Sequence, residues 1–340
     1  MDGLADLHAR LRTVDGVRVW ANAPMAPFTT IGTGGKAGLL VTVRTTEALA
    51  TVLAALEESG LDWFSLGAGS NLLVADRGYK GVVVKLDDDF QYVAGLPAAP
   101  AKGATPAEGA APAECRPVEL TVGAAAFLAR LAAVVAEAGL SGMEHACGIP
   151  GSVGGAVAMN AGAYGWCMRD ILRGVQVVSA QGVRWLAPED LEWGYRHCGL
   201  PSGTIVTAVR ISLTPADCDA VMQCQRGYLK QRREKQPRSV RTFGSTFKNP
   251  PGHHAGRMVE AAGLKGMRHG GAEISTVHGN FLVNLGDATT GDVLELMGLM
   301  RQGVERVSGI VLEPEVRLLG ASFPWDSDGD RATDRPAAHG

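Results

Sequence analysis

Two glycine-rich segments have the composition to receive a ligand against bare main chain. GAGSN at 67 to 71 follows an apolar, strand-like run and ends in Ser-Asn. Consecutive N–H groups in such a turn form an anion-binding concavity, to which Ser70 and Asn71 add side-chain hydrogen bonds. The second segment, GIPGSVGGAVAMNAGAYG at 148 to 165, carries no charge and little bulk. Each glycine in regular structure costs roughly 0.5–1 kcal/mol relative to alanine, so the run requires a compensating close contact. The partner must be flat or narrow and must accept hydrogen bonds from amides. Both a flavin dinucleotide and a tight junction between domains meet that description. Other phosphate-binding patterns fail. GTGGKA at 32 to 37 satisfies G-x-G-x-x-A, but a strand follows it where the dinucleotide fold needs a helix. No G-x-x-x-x-G-K-[ST] occurs.

An acid is the next candidate. Glu315 lies in the apolar run LEPEVRLLG, and its neighbours Val316 and Leu318 predict burial. Desolvation raises a carboxyl pKa and lets such a group keep its proton. Metal chemistry is not expected. The six cysteines (Cys115, Cys147, Cys167, Cys198, Cys218 and Cys224) form no CxxC pair and no zinc-like spacing with histidine, which indicates free thiols in a reducing compartment. DSDGD at 326 to 330 imitates the start of a calcium loop, but Ala337 stands where a bidentate glutamate belongs.

These residues need a scaffold of several lobes, because 340 residues exceed the usual single-core range. LLVTV (39–43) reads as a strand, TTEALATVLAALEES (45–59) as an amphipathic helix capped by Thr45 or Thr46, and NLLVAD and GVVVKL as further strands. Residues 94–117, rich in Ala, Pro and Gly, read as a surface insertion. A helix follows over 124–138. VQVVSA, VRWLAP and TIVTAVRISL then alternate as in a sheet with one covered face. From about 215 the chain turns to a basic helix, a loop RSVRTFGSTFKNP, helices near 255–262 and 290–307, a strand VLEPEVRLLG, and a frayed tail. The acidic N-terminus lacks the pattern of a signal peptide, and no apolar run reaches membrane-spanning length. A net charge of −3 gives no nucleic-acid surface. The expected location is therefore cytoplasmic, with no membrane or nucleic-acid partner.

Taken together, LGAGSNLLV, GxExxxGIPGSVGGAVxMNAGAYG from Gly142, GYR at 194–196, GSTFKNP at 244–250, GLKGMRHGGAEIS at 263–275, HGNFLVN at 278–284 and LEPEVRLLG at 312–320 resemble the UDP-N-acetylenolpyruvoylglucosamine reductase family, in order and over Phe28 to Gly320. The resemblance implies an α+β fold: an FAD-binding domain of the vanillyl-alcohol-oxidase (PCMH) type in two subdomains, 1–88 and 89–214, plus an α/β substrate-binding domain, 215–311. A strand near 312–323 would return to the first subdomain, and 324–340 would form a flexible tail. It also implies non-covalent FAD, NADPH as reductant, a monomer, and reduction of UDP-N-acetylglucosamine enolpyruvate to UDP-N-acetylmuramate for peptidoglycan.

Site residues follow from the same resemblance. Arg196 would stabilise charge on the substrate carboxylate, Glu315 would be a neutral hydrogen-bond donor, and Ser245 would donate the proton. Gly67, Gly69, Ser70 and Asn71, with Gly148, Ile149, Pro150, Gly151, Ser152, Gly154, Asn160, Ala161 and Gly162, would hold FAD. Tyr195 would contact the substrate and position Arg196; Arg232, Lys235, Lys248 and Asn249 flank Ser245 in sequence and could bind a diphosphate by charge-assisted hydrogen bonds, and the resemblance favours Lys235 and Asn249, with Arg317 as a further contact. Cys198 stands where the family often has Ser, and RTF stands before GS where a Pro-Ser-rich approach is usual. The 48 residues between Arg196 and Ser245 resemble the short form, which lacks an inserted Tyr-bearing loop. An FAD-dependent sugar or alcohol oxidase of the same fold is the alternative; it would not explain GSTFKNP together with LEPEV.

Overall fold

The computed structural model describes residues 2–98 and 116–326. Most of the 94–117 insertion, Cys115, and the calcium-like run beyond Asp326 lie outside the described residues. The five described cysteines are free thiols.

The first sheet orders its strands Val17–Pro24, Lys36–Val43, Tyr79–Leu86, Trp63–Leu66. The first pair is antiparallel and the other two are parallel. Helix Thr46–Ser59 makes the crossover. Thr45 is the cap, accepting from the Ala48 N–H at 3.1 Å, and left-handed Gly60 ends the helix. Its apolar stripe of Leu49, Val52, Leu53 and Leu56 is buried, against a core shared with the second sheet. That sheet is antiparallel and runs Gly182–Leu186, Leu172–Ser179, Ile205–Pro215, Val118–Gly123, Val93–Ala94.

Two details differ from the sequence expectation. Residues Ile205 to Val209 are buried without alternation, so the central strand is covered on both faces at this end. The helix expected over 124–138 spans only Leu128–Glu137. Ala124 and Ala126 are spent instead as acceptors for the N–H groups of Gly154 and Val153, which docks the glycine-rich segment on this turn.

The C-terminal lobe packs helices Ala255–Ala261 and Thr290–Ser308 on a three-stranded antiparallel sheet, Arg268–His269, Ala272–Ile274, Leu282–Asn284. Its core, centred on Phe243, Phe247 and Met297, also takes in Ile31 and Leu73 from the N-terminal part. Polar contacts tie the same junction. Asp76 accepts from the Thr290 and Gly291 N–H groups at 2.9 and 2.8 Å, a carboxylate at a helix N-terminus. The strand expected over VLEPEVRLLG is confined to Arg317–Leu319, which runs parallel beside Leu72–Val74. Glu315 therefore lies just before a strand that adjoins the GAGSN loop.

Candidate functional site

The two glycine loops cross each other where the lobes meet. Ser70 Oγ donates to the Pro150 carbonyl at 3.3 Å. A Cβ on Gly67 would come within 2.5 Å of Ser152 Oγ, and one on Gly151, at φ +131°, within 3.1 Å of Ser70 Oγ. A side chain at Gly67 would therefore displace the Ser152 hydroxyl, while Gly151 needs glycine for its backbone conformation. Not every glycine of the long segment faces open space. Gly154 packs on Ala124, and Gly162 on Trp166 and Cys167. The segment thus serves as both a tight junction and a wall.

Two cavities flank the crossing, of about 590 and 400 Å³. They share Thr30, Ser65, Leu66, Gly67, Ala68, Ser152 and Gly155. The larger is lined by Gly67, Gly69, Ser70 and Asn71, by Gly148 to Ser152, by Ala161 and Gly162, and by Arg196, Arg232, Lys235, Ser245, Glu315 and Arg317. Gly154 belongs to the smaller one, with Phe28, Lys85, Gln91 and Phe127. Asn160, Tyr195, Lys248 and Asn249 line neither.

Arg196, Ser245 and Glu315 converge on the larger cavity from three segments. Arg196 is the second residue of a two-residue turn between Trp193–Gly194 and His197–Cys198, and it is left-handed at φ +57°. A non-glycine side chain in that region stores strain of about 1–3 kcal/mol, which the surroundings must offset. Its Nε donates to Glu315 Oε1 at 2.8 Å, and its guanidinium lies 4.9 Å from the Tyr195 ring centre. The paired side chains are only 20% and 14% exposed. Burial pushes the Glu315 carboxyl above the ordinary carboxylate value; the Arg196 charge and hydrogen bond oppose that shift without cancelling it.

Ser245 sits on an extended segment between two others. Thr246 donates its N–H to the Asn280 carbonyl at 2.9 Å and accepts from the Glu315 N–H at 2.9 Å. Ser245 itself bridges to Phe281. The serine and the glutamate are thereby fixed to adjacent backbones.

The basic residues separate into two groups. Arg232 is half-buried in the cavity wall, pairs with no carboxylate among the described residues, and is held below its ordinary pKa by burial. An uncompensated guanidinium there calls for an anion. Lys235 lines the same wall, on the last turn of helix Cys218–Lys235. Lys248 instead pairs with Glu313, and Asn249 spends its side-chain carbonyl on the Ala255 N–H at 3.0 Å.

Sequence reasoning missed several lining residues, among them Tyr164, Phe243 and His278. His278 stands in the HGNFLVN motif, which gave a signal without a role. Its Nδ1 accepts from the Asn280 N–H at 3.1 Å, which fixes the neutral tautomer with the proton on Nε2. Burial, reinforced by Lys265, lowers its pKa.

The comparisons with known proteins agree with this geometry. Residues 236–319 match the model of the UDP-N-acetylenolpyruvoylglucosamine reductase C-terminal domain, and 114–186 match an FAD binding domain. The UDP-N-acetylenolpyruvoylglucosamine reductase of Myxococcus xanthus is 42% identical over 92% of this chain and 96% of its own length. That of Anaeromyxobacter sp. is 43% identical over 97% and 98%. The chain belongs to the UDP-N-acetylenolpyruvoylglucosamine reductase family. A crystal structure of the reductase from Thermus caldophilus superposes with a TM-score of 0.72 at 36% identity, over 89% of this chain and 98% of that one. The fold is accordingly an FAD-binding domain joined to the family's C-terminal domain.

The residues present fit that cofactor. The N–H groups of Gly67, Ala68 and Ser70 find no acceptor among the described residues. Gly67 and Ala68 line both cavities and Ser70 lines the larger, a placement suited to a dinucleotide's pyrophosphate. Gly67→Val, which drives a side chain into Ser152, is expected to weaken flavin binding about tenfold, the equivalent of about 1.4 kcal/mol. Fluorescence titration of the deflavinated protein measures this. No helix of the described residues is long and apolar enough to cross a membrane.

Proposed function

We propose that this chain uses FAD as resident cofactor and NADPH as reductant to convert UDP-N-acetylglucosamine enolpyruvate to UDP-N-acetylmuramate, a step in peptidoglycan precursor synthesis. The observation that carries the mechanism is the partly buried Arg196–Glu315 pair facing the same cavity as Ser245. Bound FAD supplies hydride to the terminal carbon of the alkene, and the remaining work falls to the protein.

As that bond forms, the electron pair of the double bond moves onto the substrate carboxylate, giving an enediolate-like species. Arg196 neutralises this charge, and preorganised charge stabilisation of this kind is usually the largest catalytic contribution. Once Arg196 turns to the substrate, Glu315 loses its counter-ion beside a second carboxylate. Both changes raise its pKa further, and the neutral acid donates a hydrogen bond to the developing oxyanion. Ser245 Oγ gives its proton to the adjacent carbon, completing reduction of the double bond, and regains one from water. Arg232 and Lys235 bind the nucleotide diphosphate by charge-assisted hydrogen bonds, with Arg317 as a further contact. Tyr195 packs against Arg196. The single helix spanning Cys218–Lys235 in the Arg196–Ser245 interval supports the short family form.

The test is spectroscopic. The yellow protein should bleach with NADPH under anaerobic conditions and regain its colour with the enolpyruvyl nucleotide. Colour that returns with oxygen, and not with the nucleotide, would identify an oxidase of the same fold instead.

A further inference from the structure

Asn160 was expected to touch the cofactor, yet it lines neither cavity and is 7% exposed. Its backbone is left-handed at φ +39°, a conformation that asparagine tolerates better than most residues. Both ends of its amide are occupied within the protein. Oδ1 accepts from the Arg169 N–H at 3.2 Å, and Nδ2 donates to the Gly194 carbonyl at 3.0 Å. Gly194 is the foot of the turn that carries Arg196.

That turn is poorly supported by itself. Its strands contribute only two residue pairs, Trp193 with Cys198 and Gly194 with His197, and its second residue is strained. A hairpin this small does not hold its own shape. Asn71, at the end of the other glycine loop, does the corresponding work for the partner of Arg196. Its Nδ2 donates to the Glu315 carbonyl at 2.9 Å, and its own carbonyl accepts from the Arg317 N–H at 3.1 Å. Each glycine-rich segment thus carries an asparagine that braces the backbone of one member of the pair.

We infer that Asn160 is a positioning residue: its amide fixes the Gly194 carbonyl, holds the strained turn, and so aims the Arg196 guanidinium at Glu315 and at the substrate carboxylate. The inference rests on the role proposed for Arg196. It makes the glycine segment an indexing element for the Arg196–Glu315 pair as well as a wall of the cavity.

Two variants separate the amide's bonds. Asn160→Gly keeps the backbone conformation and removes both. Asn160→Asp keeps the acceptor for Arg169 and removes the donor to Gly194. In both, the rate of nucleotide-driven flavin reoxidation should fall by about 10²-fold, the scale set by a 1 Å misplacement of a reacting group. Reduction by NADPH and flavin affinity should stay within about threefold, a margin of less than 1 kcal/mol. A second readout is independent of turnover: solvent exchange of the Arg196 Nε–H, followed by NMR in the holoprotein, should accelerate in both variants. Wild-type reoxidation or wild-type Nε–H exchange in Asn160→Asp would overturn the inference, as would a loss confined to flavin affinity. Should Asn160→Gly fail to fold, the near-isosteric Asn160→Asp decides alone. A wild-type protein that the nucleotide does not reoxidise would refute the functional reading, while the exchange measurement would still report on the positioning.

Discussion

Ser245→Ala is expected to leave the flavin reducible by NADPH and to slow its reoxidation by the enolpyruvyl nucleotide by roughly 10²–10⁴-fold, the usual contribution of a positioned general acid. A hydroxyl is a weak acid, so its value lies in placement beside a carbon that becomes strongly basic. That placement is built into the backbone, with Thr246 bonded to Asn280 on one side and to Glu315 on the other. Alanine preserves all of these main-chain bonds and removes only the proton. Stopped-flow measurement of the two half-reactions separates the outcomes. A loss in both would indicate a displaced cofactor, and unchanged reoxidation would remove Ser245 from the mechanism.

The parts of this site that were legible in the sequence are those whose meaning is local. GAGSN and GIPGSVGG advertise their use through missing side chains, and the burial of Glu315 follows from its apolar neighbours. Roles set by distant contacts left no such mark. Asn160 reads as one more polar residue of the glycine segment until Gly194, 34 positions away, is brought beneath its amide. Lys248 and Asn249 suit a diphosphate by their place after Ser245 in sequence, and the family resemblance adds to the case for Asn249. In the fold Lys248 pairs with Glu313 and Asn249 accepts from the Ala255 N–H, contacts that sequence order alone does not announce. The fold shows the same division. Helix Thr46–Ser59 was readable from its stripe and cap, whereas the first turn of the helix expected from 124 was lost to a docking contact that no periodicity announces.

Glu315→Gln should retain flavin and NADPH reduction and lower nucleotide-driven reoxidation by about 10²–10³-fold, the cost of losing one preorganised donor at an oxyanion. Glutamine is close in shape and still donates, but it is a weaker donor than a neutral carboxylic acid. The pH profile gives the sharper discrimination. Burial already raises the Glu315 pKa in the free protein, and diverting Arg196 to the substrate raises it again. The active, protonated form is therefore populated below this elevated pKa and lost above it, so reoxidation should decline as pH rises through that value. Glutamine cannot ionise, so the variant's slower rate should show no such decline. A wild-type profile that instead rises with pH through the same window would mean that Glu315 acts as a carboxylate, and the neutral-donor role would fall.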